Sequence, residues 1–286
     1  MNPEEIIDIA KSSRSYTLHS HTQFCDGRAD MQTMAAAASA AGFTHYGFSP
    51  HSPICVESAC NMTAESVAPY LDEAARLKDF FSGRMEVYAG MEVDFLSRDF
   101  GPHIDTFQRM KLDYIIGSVH FVPDRYGTPW DCDGRFERFN SYLQTAFRGD
   151  LRYVVETYLE QVLRMIELGG FQILGHADKI AGNAAIADPE LETRSWYVSL
   201  VEEIIDSACA AGLAIEINTK SFDDKNRFFP AQCWWERLAA KGVVPIVNSD
   251  AHYPERVASG RDEAYTRMAP IWSACGCDDY NTFLRE

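Results

Sequence analysis

The segment "HSHTQFCDG", residues 19–27, sets two imidazoles two positions apart and a carboxylate, Asp26, five positions after the second. Imidazole and carboxylate are the side chains that zinc, manganese and iron accept. At the end of a strand, side chains alternate, so His19 and His21 point the same way and Asp26 can turn back toward them. The same residue types recur along the chain: His51 in "SPHSP", Glu92 in "GMEVDF", His120 in "GSVH", His176 in "GHADK", and Asp250 with His252 in "NSDAH". Drawn into one cavity, these side chains would hold metal ions, and the chemistry open to them is metal-assisted hydrolysis.

Plainer readings exist for single residues. His19 and His21 alone could be two core histidines on an alternating strand, but six of the eight histidines fall at expected strand ends. Glu92 lies beside the apolar run "YAGM", where an unpaired charge is costly to bury and a metal would compensate it. Asp250 could cap a following helix, yet His252 stands beside it. His45 and His103 carry no such context and are expected to be ordinary hydrogen-bonded imidazoles outside the site.

Regular alternation of strands and helices supplies the elements that position these residues. After the first strand, "RADMQTMAAAASAAGF" is Ala-rich and stops at Gly42, as a helix does. "THYGFSP" is a strand that delivers His51. "TAESVAPYLDEAARLKDFFSG" is a helix ending at Gly83, with Pro69 in an irregular early turn. "MEVYAGMEVDF" is the third strand, "PHIDTFQRM" a short helix and "LDYIIGSVH" a buried strand ending at His120. The second half repeats the order: helix 151–168, strand "FQILGHAD", helix 190–211, strand "LAIEINTK", helix 230–241, strand "VVPIVNSDAH" and a final helical region. Such alternation predicts a parallel sheet with crossover helices, and seven strands suit a closed or nearly closed, TIM-barrel-like α/β fold. In a parallel barrel the C-terminal strand ends share one face, so the motifs would converge there. Residues 121–150 break the rhythm with Pro, Gly and Asp and are expected to form a lid or insertion. With no Pro-, Gly- or Ser-rich linker and no repeat, residues 1–286 are expected to be a single domain.

Composition narrows the partners. The 286 residues are 46% apolar, enough to bury a full core, and carry 42 acidic against 26 basic side chains, a formal net charge of −16. That balance repels a polyphosphate backbone and argues against nucleic acid as main partner, while bound cations could still hold a small anion. The N-terminus lacks a basic then apolar leader pattern and no run approaches 18 apolar residues, so a cytosolic protein with no membrane partner is expected. Eight scattered cysteines, Cys25, Cys55, Cys60, Cys132, Cys209, Cys233, Cys275 and Cys277, with no C-x-x-C pair, are expected to be reduced thiols. Cys25 lacks the surroundings of a thiolate nucleophile and is taken as a packing residue.

Taken together, "HSHTQFCDG", "SPHSP", "GMEVDF", "GSVHF", "GHADK", "INT" and "NSDAH" resemble the polymerase and histidinol phosphatase (PHP) superfamily and, within it, the histidinol-phosphate phosphatases of histidine biosynthesis. The resemblance runs from about residue 16 to about 266. It implies a distorted seven-stranded barrel holding two or three ions of zinc, manganese or iron. By that resemblance His19, His21, Glu92 and Asp250 hold a first ion, Glu92 bridges to a second held by His120 and His176, and Asp26, His51 and His252 take a third. Related phosphatases can place a histidine where this chain has Asp26; aspartate is an acceptable ligand there, so the departure bears on which metal is held.

The implied reaction is hydrolysis of L-histidinol phosphate to L-histidinol and phosphate by a metal-activated hydroxide, with Glu92, Asp250 and His252 nearest the chemistry. Arg28, Lys179 and Lys220 follow strand motifs and are candidate substrate contacts, and Asn218, at the end of a strand, is a candidate to hydrogen-bond the substrate or a ligand. Asp124, Asp131, Asp133 and Glu137 in the insertion are candidate partners for the substrate ammonium, with Trp130 and Tyr126 as a possible shield for its imidazole. The alternative is a related phosphoesterase acting on another small phosphomonoester or a nucleotide. A non-catalytic metal-binding module would be expected to lack ligands, whereas all nine positions carry competent side chains. An amidohydrolase would want a bridging lysine and a single late aspartate in place of Glu92 and the "SDAH" pair.

Overall fold

The computed structural model describes residues 1–276; Cys277, counted above among the thiols, lies outside the described residues. In chain order the strands are β1 (Tyr16–Thr17), β2 (His45–Phe48), β3 (Glu86–Asp94), β4 (Tyr114–Ser118), the pair β5 (Phe121–Pro123) and β6 (Pro129–Asp131), then β7 (Ile173–Leu174), β8 (Ala214–Asn218) and β9 (Ile246–Asn248). All but β5 and β6 join one seven-stranded sheet in the order β1-β2-β3-β4-β7-β8-β9, and every neighbouring pair is parallel. The two edges meet. Ser20 bridges Ala251 in parallel register just past β1 and β9, and the Leu18 N–H donates to Asn248 Oδ1 at 2.7 Å. The sheet is thereby a nearly closed barrel, as the alternation predicts.

Helix α1 (Pro3–Ser12) precedes the barrel, α2 (Met31–Ala40), α3 (Val67–Phe81) and α4 (Asp105–Gln108) connect the first four strands, and α5 (Phe136–Thr145) follows the β5–β6 hairpin. Beyond it come α6 (Leu151–Leu168), α7 (Ala181–Ala187), α8 (Ser195–Ala210), α9 (Phe222–Lys225), α10 (Trp235–Ala240) and α11 (Arg261–Ala274). α6 spans the residues expected of it. Pro69 sits in the first turn of α3, behind a 3₁₀ turn at Ala64–Ser66, where a helix has no intrahelical use for its N–H. The helices expected at 190–211 and 230–241 each begin with a 3₁₀ turn, Leu191–Thr193 and Gln232–Trp234, so their α segments are shorter. No helix among the described residues is long and apolar enough to cross a membrane.

Helix α1 was not expected, because it lies ahead of the strand–helix rhythm, but its start signals are local. Asn2 accepts from the Glu5 N–H, Glu5 accepts from the Asn2 N–H, and Pro3 occupies the first helical position. Its Ile6, Ile9 and Ala10 bury against Tyr16, Leu18, Tyr114, Ile116, Ile173, Ala214 and Ile246, most of them from the N-terminal ends of the strands. The helix therefore plugs that end. Outward neighbours such as Ile115, Ile215, Ile217 and Val247 belong instead to the larger core beneath the surrounding helices. Tyr114 reaches across the interior to donate its hydroxyl to the Leu18 carbonyl at 2.5 Å. That path exists because Gly47 and Gly90 lack side chains: a Cβ at either position would fall 2.0 or 2.3 Å from the Tyr114 ring or hydroxyl.

Along β8 the inward column changes character, from Ala214 through Glu216 to Asn218, and along β9 it runs from Ile246 through Asn248 to Asp250. One end of the barrel is thus apolar and plugged, the other polar and buried. Ile6→Ala should remove about 3 kcal/mol of stability, since Ile6 is fully buried in the plug. A urea unfolding curve measures it, and metal binding per folded molecule should be unchanged because α1 touches the opposite end.

Candidate metal centre

Glu92, near the end of β3, lies at the middle of the polar end. Its Oε2 is 3.2 Å from His19 Nε2, 3.1 Å from His51 Nδ1 and 3.5 Å from His21 Nε2, while its Oε1 is 2.8 Å from His176 Nε2 and 3.6 Å from His120 Nε2. The two oxygens face different histidines, the arrangement of a carboxylate that can serve two ions. Asp250 Oδ1 is 3.1 Å from His21 Nε2, and Asp26 Oδ1 is 3.2 Å from His252 Nε2. All nine sequence-derived candidates therefore meet in one place. They form four overlapping groups with ligand atoms within 4.8 Å of one another: His21, Asp26, His51 and His252; His19, His176 and Asp250; His19, His21 and Glu92; His51, Glu92 and His120. This division differs from the one the resemblance implies, since His176 also groups with His19 and Asp250, and His21 joins Asp26, His51 and His252. His45 and His103 stand apart, bonded to Thr44 and to the Arg98 carbonyl.

The donor set fits metal ions. His19 Nε2, His21 Nε2, His51 Nδ1, His176 Nδ1 and Asp26 Oδ1 are buried without a hydrogen-bond partner, a costly state unless something else satisfies them. Ligand atoms bound at about 2.1 Å around a tetrahedral ion stand about 3.4 Å apart, close to the contacts around Glu92 and Asp250.

Charge is shared unevenly. Burial disfavours a charged His19, but Glu216, Glu92 and Asp250 outweigh it and raise its pKa well above the ordinary imidazole value. For His120 burial is likewise outweighed, by Asp94 and Glu92, and the pKa is raised to about 9. Burial wins at His21, aided by His252 and His51, and its pKa falls well below the usual value. Burial would raise the Glu92 pKa, yet His19, His51 and His120 hold it well below the carboxylate range. Metal uptake at such a centre competes with protons. The Cys25 thiol, 3.4 Å from His21 Nδ1, is pushed up to about 12 by burial and the Asp26 charge, in keeping with a packing residue.

A cavity of about 920 Å³ opens above the cluster. Lys179, nearly buried, stands 3.5 Å from Asp250 and 3.3 Å from Asp133, and Lys220 stands 3.4 Å from Asp250 and 3.2 Å from His252 Nε2. Arg28 lines the same cavity. Asn218 does not line it; its buried amide donates to Asp250 Oδ2 at 3.0 Å and Glu216 Oε2 at 3.2 Å, so of the two roles expected of it, a bond to substrate or to a ligand, the structure shows the second. In the 121–150 segment, Asp131, Asp133 and Glu137 line the cavity, whereas Asp124 is spent on the hairpin turn, accepting from Tyr126 and Thr128. Tyr126 is exposed and Trp130 packs on Tyr142, so the aromatic side chains facing the cavity from this segment are Phe121 and Phe136.

Two carboxylates escaped the sequence reading. Glu216 is fully buried, accepts from His19 Nδ1 at 2.7 Å, and also takes the His176 N–H and the Asn248 amide. Asp94 accepts from His120 Nδ1 at 2.7 Å and from the Asn61 amide at 2.8 Å. Each leaves the other ring nitrogen of its histidine facing Glu92, which fixes tautomer and orientation. Signals were present: Asp94 follows Glu92 by two positions on one strand, and Glu216 interrupts the apolar run "AIEIN".

Comparison with known proteins agrees with this architecture. The PHP domain family profile matches residues 17–220. A Deinococcus radiodurans protein named "Probable histidinol-phosphatase" is 26% identical over 248 residues, covering 84% of this chain and 86% of its own. A Schizosaccharomyces pombe protein of the same name is 24% identical over 273 residues, covering 90% and 87%. Among solved structures, a Listeria monocytogenes protein described as a histidinol phosphatase superposes with a TM-score of 0.73 at 19% identity, over 87% of this chain and 99% of that one. A Lactococcus lactis histidinol phosphate phosphatase, complexed with zinc, L-histidinol and phosphate, gives 0.67 at 19% identity, over 90% and 94%. At that identity the structural matches speak to the fold.

Glu216→Gln and Asp94→Asn should each weaken zinc binding about 10- to 100-fold while leaving the far-ultraviolet circular dichroism unchanged. Competition titration against a chelating dye gives the affinities.

Proposed function

The chain belongs to the PHP domain family, and from that premise we propose that it is a metal-dependent phosphomonoester hydrolase that converts L-histidinol phosphate to L-histidinol and phosphate in histidine biosynthesis. The observation that carries the reading is the ring of unpartnered imidazole nitrogens around Glu92, set beneath a cavity with two lysines at its floor. His19, His21, Asp26, His51, Glu92, His120, His176, Asp250 and His252 would hold two or three ions of zinc, manganese or iron. Such ions, when bound, offset the phosphate charge and lower the pKa of water enough to make a nucleophile.

The remaining work belongs to the chain. Lys179 and Lys220 are placed to donate to phosphoryl oxygens beside Asp250, and Arg28 adds charge at the cavity wall. Residues 121–150 act as a lid whose Phe121 and Phe136 exclude water and offer an apolar surface to an imidazole ring. Asp131, Asp133 and Glu137 on the same wall face a substrate ammonium. Asp133 also pairs with Lys179, so the lid is tied to the floor in part by charge, while Asp131 pairs with Arg138 within the lid. The compartment of this reading is the cytosol, where seven free thiols among the described residues are ordinary.

Phosphate release from L-histidinol phosphate, measured beside a panel of phosphomonoesters and nucleotides, tests the proposal. A kcat/KM preference of about 100-fold, near 3 kcal/mol of transition-state discrimination, is expected. Chelation should abolish turnover and added zinc, manganese or iron should restore it. Metal-dependent activity that is flat across the panel would leave a phosphoesterase of another substrate.

A further inference from the structure

We propose that Asp178 is a positioning residue that acts through the 226–231 loop and Asn218 to hold Asp250 in place. This rests on Asp250 being a metal ligand, as proposed above. Asp178 is fully buried in "GHADK", two positions past His176, yet none of its hydrogen bonds or ion pairs reaches a candidate ligand. A buried carboxylate is costly unless it is hydrogen-bonded or paired, so the bond it makes marks where it acts. Its Oδ2 accepts the Ala231 N–H at 2.9 Å, which anchors one end of the 226–231 loop.

The loop passes that anchor to the centre. Phe229 pairs with Asn218 through both backbone bonds, Asn218 N–H to the Phe229 carbonyl at 2.8 Å and Phe229 N–H to the Asn218 carbonyl at 3.1 Å. Asn218, at the end of β8, then donates its amide to Asp250 and Glu216, and Glu216 orients His19. Asp250 needs such support, since its φ of 48° lies in the left-handed region that a non-glycine residue adopts only when its surroundings hold it there. The Phe229 ring also lies close over α7, where a Cβ on Gly182 would stand 2.9 Å from Phe229 Cζ.

Zinc titration of the full chain, with melting temperature and steady-state kinetics on the same samples, separates this brace from a merely structural role. Asp178→Ala should lower zinc affinity about tenfold and reduce kcat, with KM little changed. Asp178→Asn keeps an acceptor for the Ala231 N–H and should stay within about threefold of the unsubstituted protein. Gly182→Ala presses on Phe229 without removing any carboxylate, and should weaken zinc binding although alanine ordinarily favours a helix. If Asp178→Ala does not fold, Gly182→Ala decides alone. Unchanged zinc affinity in Asp178→Ala and Gly182→Ala, whatever their melting temperature, would overturn the brace; a chain that takes up none of zinc, manganese and iron would overturn the metal-centre reading and the brace with it.

Discussion

A carboxylate with almost no solvent exposure stands at the centre of this molecule, and most of the structure can be understood as what keeps Glu92 charged there. Desolvation alone would favour its protonated form. Five imidazoles surround it within 3.6 Å, and His19, His51, His120 and His176 among them hold its pKa down. Those imidazoles must in turn be aimed, and at His19 and His120 the aiming is done by further buried carboxylates, Glu216 and Asp94. At His19 and His120 the centre is therefore built in layers, carboxylate, imidazole and carboxylate again. Removing an outer member leaves an inner one mispointed, even though the two are not adjacent in sequence.

The barrel makes this affordable by separating its two ends. The apolar plug of α1 and the Tyr114 side chain fill one end at close packing, so the strands are held firmly where no chemistry is needed. The opposite end carries buried polar atoms without partners, which is a poor basis for stability. Parallel strands carry that firmness to the polar end, and the same inward columns run from alanine or isoleucine to glutamate, asparagine and aspartate. The 121–150 segment stays outside this logic. It forms its own two-stranded sheet and contributes a wall to the cavity, not a stave to the barrel.

Much of this was legible in the sequence because its signals are periodic and local. Strands and helices recur at regular intervals, and α6 occupies the residues that its pattern marks. The histidines and acids that meet at the centre stand at strand ends, where a parallel barrel brings them together. Less legible were elements whose evidence lies in contacts. α1 is recognisable as a helix from its capping box but not as a plug. Glu216 and Asp94 look like any strand carboxylates until the strand order sets them beside His19 and His120. Trp130 and Tyr126 carry the chemistry of a shield, but the β5–β6 turn directs one onto Tyr142 and the other into solvent.

The sequence by itself determined the kinds of side chain and the period at which they arrive, and with them the parallel barrel and the candidate donor set. Side-chain alternation and strand ends are properties of one stretch of chain, so they can be read there. Which oxygen of Glu92 faces which histidine, that Lys179 and Lys220 both share Asp250, and that Asn218 supports Asp250 were decided only by the tertiary structure. These depend on the closure of β1 against β9 and on the register of each strand pair. Distances of about 3 Å between residues as far apart as His19 and Glu216 are set by that register and have no local signature.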